Sequence, residues 1–191
     1  PGRGYCFTGR VEDRVLDAPA TAVVAADLQT RLPRVIPALL GRASDLATLG
    51  ALVDAHALVS VTGAGGIGKS LLVQHLLDAR RRAHPHGVCW VELASVGDAS
   101  ALPATIAEAL GVRLRGGDSL EALAVAVGPL DVLLALDNAE HLVDTVGRLA
   151  ARLVDVAPAM KLVVTSQIPL GLAAERVMRL STLDLPAADA G

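Results

Sequence analysis

A chain of 191 residues that is 52% hydrophobic and only 19% charged has the apolar content for a substantial buried core, which excludes a wholly disordered polypeptide. Its formal net charge of -3 excludes a whole-domain attraction to nucleic acid or acidic membranes, and no uncharged apolar run reaches the roughly 18 residues that a membrane span needs. A single Phe, Trp and Tyr leave the core to Leu, Val, Ile and Ala, which favours close-packed helices on a Val-rich sheet.

The chain opens on Pro1 rather than Met, without a signal peptide, and reads as a piece of something longer. Residues 1–12, PGRGYCFTGRVE, pattern as the end of a β-hairpin, with glycines for the turn and Tyr5, Phe7 and Val11 alternating. Cys6 and Cys89 stand far apart with no CxxC pair; they suggest neither a disulfide framework nor a metal site, and a reducing, cytoplasmic setting fits. Residues 13–37 are rich in Ala and Pro without a sustained helical stripe, as suits a linker.

From residue 38 strand and helix signals alternate. Ser44 is placed to cap a helix over residues 44–54, with Leu46, Leu49, Leu52 and Val53 on one face. Residues 57–62 form a short buried strand, followed by a glycine-rich turn and a helix over 69–82 that ends in Arg80, Arg81 and Arg82. That basic run suits a solvated helix C-terminus. His84 and His86 sit in the AHPHG loop with no third metal ligand in view. Strands follow at 88–93 and 132–136, with Cys89 and Trp90 packed in the first of them. Between them come helices at 100–110 and after a cap at Asp118 or Ser119. A long helix over 141–157 turns Leu142, Val146, Leu149 and Leu153 to one side. A fourth strand at 162–165 and a fifth at 177–180 complete the pattern. Such alternation predicts an α/β fold, a parallel sheet covered on both faces, whose ligands sit at the carboxyl ends of the strands.

The chemistry gathers at those ends. GAGGIGKS, residues 63–70, matches the Walker A pattern in the strand–turn–helix setting that it requires, and so predicts a P-loop. Glycines let successive backbone N–H groups curl into an anion-binding nest, and the helix that follows adds its positive N-terminal end. Lys69 would meet the β- and γ-phosphates, and the Ser70 hydroxyl would ligate Mg²⁺. DVLLALDNAEH, residues 131–141, patterns as Walker B, an apolar strand that delivers Asp137 to Mg²⁺; Asp137 as a mere helix cap is the alternative. Glu140 could orient an attacking water, although an acid in the first turn of a helix is favourable without catalysis. At the end of the fourth strand, Thr165, Ser166 and Gln167 could sense a γ-phosphate or simply cap the turn before Pro169.

Taken together, LLGR (39–42), GAGGIGKS, VCWVELA (88–94), LALDNAEH and VVTSQIPLGL (163–172) resemble the nucleotide-binding domain of STAND-class, NB-ARC-like ATPases, and in particular that of large bacterial transcriptional regulators of the LuxR and winged-helix types. The resemblance runs from residue 39 to residue 185. It implies a P-loop NTPase three-layer sandwich with a mainly parallel five-stranded sheet over 38–191. It also implies a switch between ADP and ATP states with Mg²⁺ and slow hydrolysis, and inducer-dependent self-association. By position, Gly63, Ala64, Gly65, Gly66, Ile67, Gly68, Lys69, Ser70 and Leu71 would line the phosphates, with Thr165 and Gln167 near the γ-phosphate. Ser70 and Asp137 would handle Mg²⁺, and Gly41 and Arg42 would lie near the adenine.

Residues 1–12 are similar to the last wing strands of a winged-helix domain, so DNA would be bound only through that preceding domain, and a helical lid is expected downstream. The chain departs from many relatives in carrying Gln167 where they have Arg, and Asn138 where they have a second acid. Beside the switch stand two other readings, an ATPase or phosphotransferase with substantial turnover and a scaffold with a degenerate P-loop.

Overall fold

The computed structural model describes residues 31–117 and 119–183. The hairpin expected over 1–12, the linker up to residue 30 and the alternative cap Asp118 lie outside the described residues. Ten elements follow in chain order: α1 (Ala43–Ala55), β1 (Leu58–Thr62), α2 (Lys69–Arg80), β2 (Val88–Glu92), α3 (Leu102–Leu110), α4 (Leu120–Val127), β3 (Leu133–Asp137), α5 (Val143–Val156), β4 (Lys161–Ser166) and β5 (Glu175–Arg179). Short 3-10 turns at Ala99–Ala101 and Ala139–His141 lead into α3 and α5.

The strands form one sheet in the order β2-β3-β4-β1-β5, and every pairing among them is parallel. The fold is the α/β sandwich expected. Its central strands are apolar on both faces because helices cover both. The two-residue period of a strand then sorts the side chains. Leu134 and Leu136 of β3 and Leu162 and Val164 of β4 pack with Ile106, Leu123, Val146 and Leu149 of α3, α4 and α5. Leu133 and Ala135 of β3, Val163 of β4, and Val59 and Val61 of β1 pack with Leu49, Val53, Leu72 and Leu76 of α1 and α2. Among the described residues, no helix is long and apolar enough to cross a membrane.

Local signals place most boundaries. Ser119 caps α4, its hydroxyl accepting the Ala122 N–H at 3.2 Å, while Gly111 ends α3 in the left-handed region. Ser44 does not cap α1. The helix starts at Ala43, because Arg42 occupies the cap position and its carbonyl already takes the Leu46 N–H at 2.9 Å. Helix α2 stops at Arg80 rather than residue 82. Arg80 reaches back to Asp54 at 2.7 Å, and the chain turns toward β2. His84 Nδ1 donates to Asp131 Oδ1 at 2.7 Å and His86 Nδ1 accepts the Asp131 N–H at 2.9 Å, so both imidazoles tie the loop before β2 to the start of β3.

The linker is not featureless where it is described. Arg31 makes a parallel bridge to Cys89, giving its N–H to the Val88 carbonyl at 3.2 Å and taking the Trp90 N–H at 2.9 Å. Cys89 lies beneath this bridge, and burial pushes its thiol up to about 12. At pH 8 it should therefore stay unalkylated by iodoacetamide in the native chain and react on denaturation, as mapped on its own peptide. Rapid native labelling of that peptide would contradict the burial.

Candidate functional site

Strand β1 ends at Thr62, and the chain needs a turn that clears the neighbouring β5–Leu180 segment. Gly63 meets that demand: a Cβ there would lie 2.7 Å from the Leu180 carbonyl oxygen, and the Leu180 N–H is already bound to the Thr62 carbonyl at 2.8 Å. The loop then opens. Gly65, Gly66 and Gly68 face space that holds no protein atom within 4 Å of a virtual Cβ. Gly68, at φ +98°, takes the left-handed step that starts α2, a conformation a residue with a Cβ adopts only under strain.

A cleft of about 290 Å³ lies over this loop, lined by Gly65, Gly66, Gly68, Lys69, Ser70, Leu71, Asn138, Glu140 and Thr165. Lys69 opens α2 with its side chain folded back along the loop. Its Nζ donates to the Gly63 and Ala64 carbonyls, each at 2.9 Å. An ammonium has three donors, so one remains for a ligand. The loop thus has its cation already drawn into the turn.

The second wall comes from β3 and β4. Asp137, buried at the end of β3, accepts from the Ser70 hydroxyl, whose Oγ stands 2.8 and 3.0 Å from the two carboxylate oxygens. Thr165, buried at the end of β4, donates its hydroxyl to Asp137 Oδ1 and accepts the Asn138 N–H at 2.9 Å. Asn138 sits at φ +64°, the only positive φ outside glycine among the described residues. Asn tolerates that region better than other residues with a Cβ, and here the bend lets β3 end at the cleft while the chain turns into Ala139–His141. Three elements therefore meet on one carboxylate: α2 through Ser70, β3 through Asp137 itself and β4 through Thr165.

Glu140, in the turn after β3, stands at the rim. One carboxylate oxygen takes the Gln167 amide at 3.2 Å; the other is shut from solvent and has no hydrogen-bond partner. An unpaired buried carboxylate oxygen is costly, so it is a vacant acceptor for a water or a ligand donor.

The structure does not bring every residue singled out by sequence into this cleft. Gln167 is exposed, and its amide engages Glu140 rather than lining the cleft. Gly41 and Arg42 line a separate cavity of about 520 Å³ with Asp45, Arg179 and Leu183. Ala64 and Ile67 take part through their carbonyls, the first bound by Lys69 and the second by Arg42 Nη2 at 3.0 Å. Sequence reasoning overlooked Asn138 as a cleft residue, although an Asn directly after a strand-ending Asp is itself a left-handed-turn signal.

As chemistry, the cleft offers an open glycine-rich backbone, one ammonium and a hydroxyl–carboxylate pair. The first two suit a polyphosphate. The pair is made of hard oxygen ligands suited to Mg²⁺, which commonly takes one or two carboxylates and completes its shell with substrate phosphates and water. Among the described residues, no group of three or more His, Cys, Asp and Glu side chains is gathered for a metal, so an all-protein cage is not the kind of site at issue.

Comparison with known proteins agrees with the fold. The family model of the AAA domain matches residues 53–172. A Mycobacterium tuberculosis protein provisionally named an HTH-type transcriptional regulator is 32% identical over 136 residues, covering 71% of this chain and 15% of its own length. The regulatory protein AfsR of Streptomyces griseus is 31% identical over 123 residues, 57% of this chain and 13% of that protein. The chain thus spans under a fifth of these relatives. Among solved structures, Cdc6p from Pyrobaculum aerophilum superposes with a TM-score of 0.59 at 20% identity, over 78% of this chain and 48% of that one. A STAND protein with a tetratricopeptide repeat sensor from Pyrococcus horikoshii superposes at 0.54 and 17% identity, over 81% and 25%. At these identities the superpositions establish the fold.

Proposed function

The chain belongs to the AAA domain family, and from that premise we propose that it is the nucleotide-operated switch of a transcriptional regulator, of the STAND, NB-ARC-like kind, binding ATP and ADP with Mg²⁺ and hydrolysing ATP slowly. The observation that carries this reading is the Ser70–Asp137 contact across the cleft, at 2.8 and 3.0 Å. It joins the phosphate loop to the end of β3 through two groups that Mg²⁺ can take as ligands, and β4 is tied to the same carboxylate through Thr165. A change of state at the phosphates would thus bear on three elements together.

In this reading Lys69 and the N–H groups of Gly65, Gly66 and Gly68 hold the phosphates, and Ser70 and Asp137 hold Mg²⁺. The metal would supply charge neutralisation at the phosphate oxygens. Glu140, with its vacant oxygen, would hold a water at the rim; Gln167 occupies its other oxygen, which suits slow rather than fast turnover. The relatives' names as regulators support a role in transcription. DNA would then be bound by a winged-helix domain ahead of residue 13, with residues 13–37 as linker, and inducer-dependent self-association would follow exchange of ADP for ATP. A cytoplasmic setting goes with that role.

Titration of ATP and ADP, with and without Mg²⁺, followed by a turnover assay, is the test. We expect saturable binding of both and turnover below about 1 per second. Turnover well above that would make the chain an ATPase or phosphotransferase in its own right, a reading that Glu140's free oxygen would favour. Absence of binding would leave a scaffold with a degenerate loop.

A further inference from the structure

Arg42 stands at the start of a surface helix, yet it is only 6% exposed. A guanidinium is seldom so enclosed unless its donors are paired. Nη1 donates to Asp45 Oδ2 at 2.9 Å, and Nη2 donates to the Ile67 carbonyl at 3.0 Å. Asp45 lies in the first turn of α1, so the helix that Arg42 begins also grips its guanidinium and presents the other edge to the glycine-rich loop.

Ile67 and Gly68 share a peptide unit. In a planar trans peptide the C=O and N–H point to opposite sides, so a donor that holds the Ile67 oxygen behind the loop leaves the Gly68 N–H facing the other way. Gly68 lines the cleft, and at φ +98° it is a residue whose own backbone preferences do little to fix that peptide. Arg42 does not line the cleft, so its influence there passes through Ile67.

Arg42 is itself held in place by the stretch before it. Arg31 is bridged to the edge of β2, His75 Nε2 donates to the Pro37 carbonyl at 2.7 Å, and Leu32 and Leu39 pack against the α1–α2 side of the core. The segment from Arg31 to Arg42 is therefore seated on the sheet edge, on α2 and on the loop in turn.

We infer that Arg42 is a positioning residue for the phosphate loop, fixing the Ile67–Gly68 peptide so that the Gly68 N–H faces a bound phosphate, and that it ties the loop to the segment that precedes α1. The inference rests on the nucleotide-binding reading above. It differs from a contact with the base: its effect belongs to the phosphates and should be felt by a ligand that has no base.

The test is titration of ATP and of inorganic tripolyphosphate, each with Mg²⁺, into the wild-type chain, Arg42→Ala, Arg42→Lys and Asp45→Asn, with melting temperatures followed alongside. Arg42→Ala should weaken both ligands alike, by about tenfold, as expected for loss of one charged hydrogen bond. Lysine can reach the Ile67 carbonyl with one donor and should recover part of the loss. Asp45→Asn keeps the Ile67 bond but loosens the guanidinium, and should give a smaller loss shared by both ligands. A fall in ATP affinity with tripolyphosphate unchanged would mean a base contact and overturn the inference. Backbone amide NMR relaxation in the ligand-free chain tests the brace apart from any nucleotide, and Asp45→Asn serves there if Arg42→Ala melts too low. Greater mobility at Gly68 and Lys69, with the rest of α2 unchanged, supports the brace by itself; unchanged mobility at both amides overturns the inference.

Discussion

Lys69→Ala is expected to remove nearly all affinity for ATP and ADP while leaving the domain folded. The ammonium sits 2.9 Å from two carbonyl oxygens of the loop it serves, and only 8% of the residue is exposed. When a phosphate arrives, these ammonium–carbonyl contacts are shared with or exchanged for ammonium–phosphate ones, in which both partners are charged. Losing them should cost about 3 kcal/mol, or roughly 100-fold in affinity. Folding should suffer less. Gly63 is half-buried and Ala64 exposed, so their carbonyls can turn to water and a loss of about 1 kcal/mol is expected. Calorimetric titration with a parallel melt separates the two effects. Unchanged ATP binding in a folded mutant would remove the loop from the binding site, whereas a collapse in melting temperature would show that Lys69 holds the turn itself.

What was legible in the sequence was whatever local pattern decides. The apolar run of β3 and the stripe of α5 needed only their own residues, and the glycine spacing of the loop announced a turn that no other composition makes. The polar ends of β3 and β4 could be placed at one edge because a parallel sheet puts its carboxyl ends there. What stayed hidden depends on pairs far apart in the chain. Nothing near Arg42 signals a bond to Ile67, and Ser44 suggests a cap that Arg42 takes instead. Nothing near Arg31 signals its bridge to Cys89 at the edge of β2. Gln167 follows a strand, and its bond to Glu140 in the turn at Ala139–His141 joins residues too far apart in the chain for local pattern to show.

Asp137→Asn is the sharper experiment on the metal, because it removes a charge and almost no volume. The Ser70 hydroxyl can still donate to an amide oxygen, so the joint between α2 and β3 should keep its shape and the chain its melting temperature to within a few degrees. The hard anionic ligand is gone. Without Mg²⁺, ADP should bind the mutant as well as the wild type or slightly better, since one negative charge beside the phosphates has been removed. With Mg²⁺, the gain that the wild type shows should shrink by at least about tenfold, the order expected for one charge-assisted contact. Four titrations, two proteins with and without metal, decide between roles. A mutational loss confined to the Mg²⁺ arm assigns Asp137 to the cation. Equal losses in both arms would mean that the carboxylate serves only to hold Ser70 and Thr165, and that the three elements meeting there are joined for packing rather than for a switch.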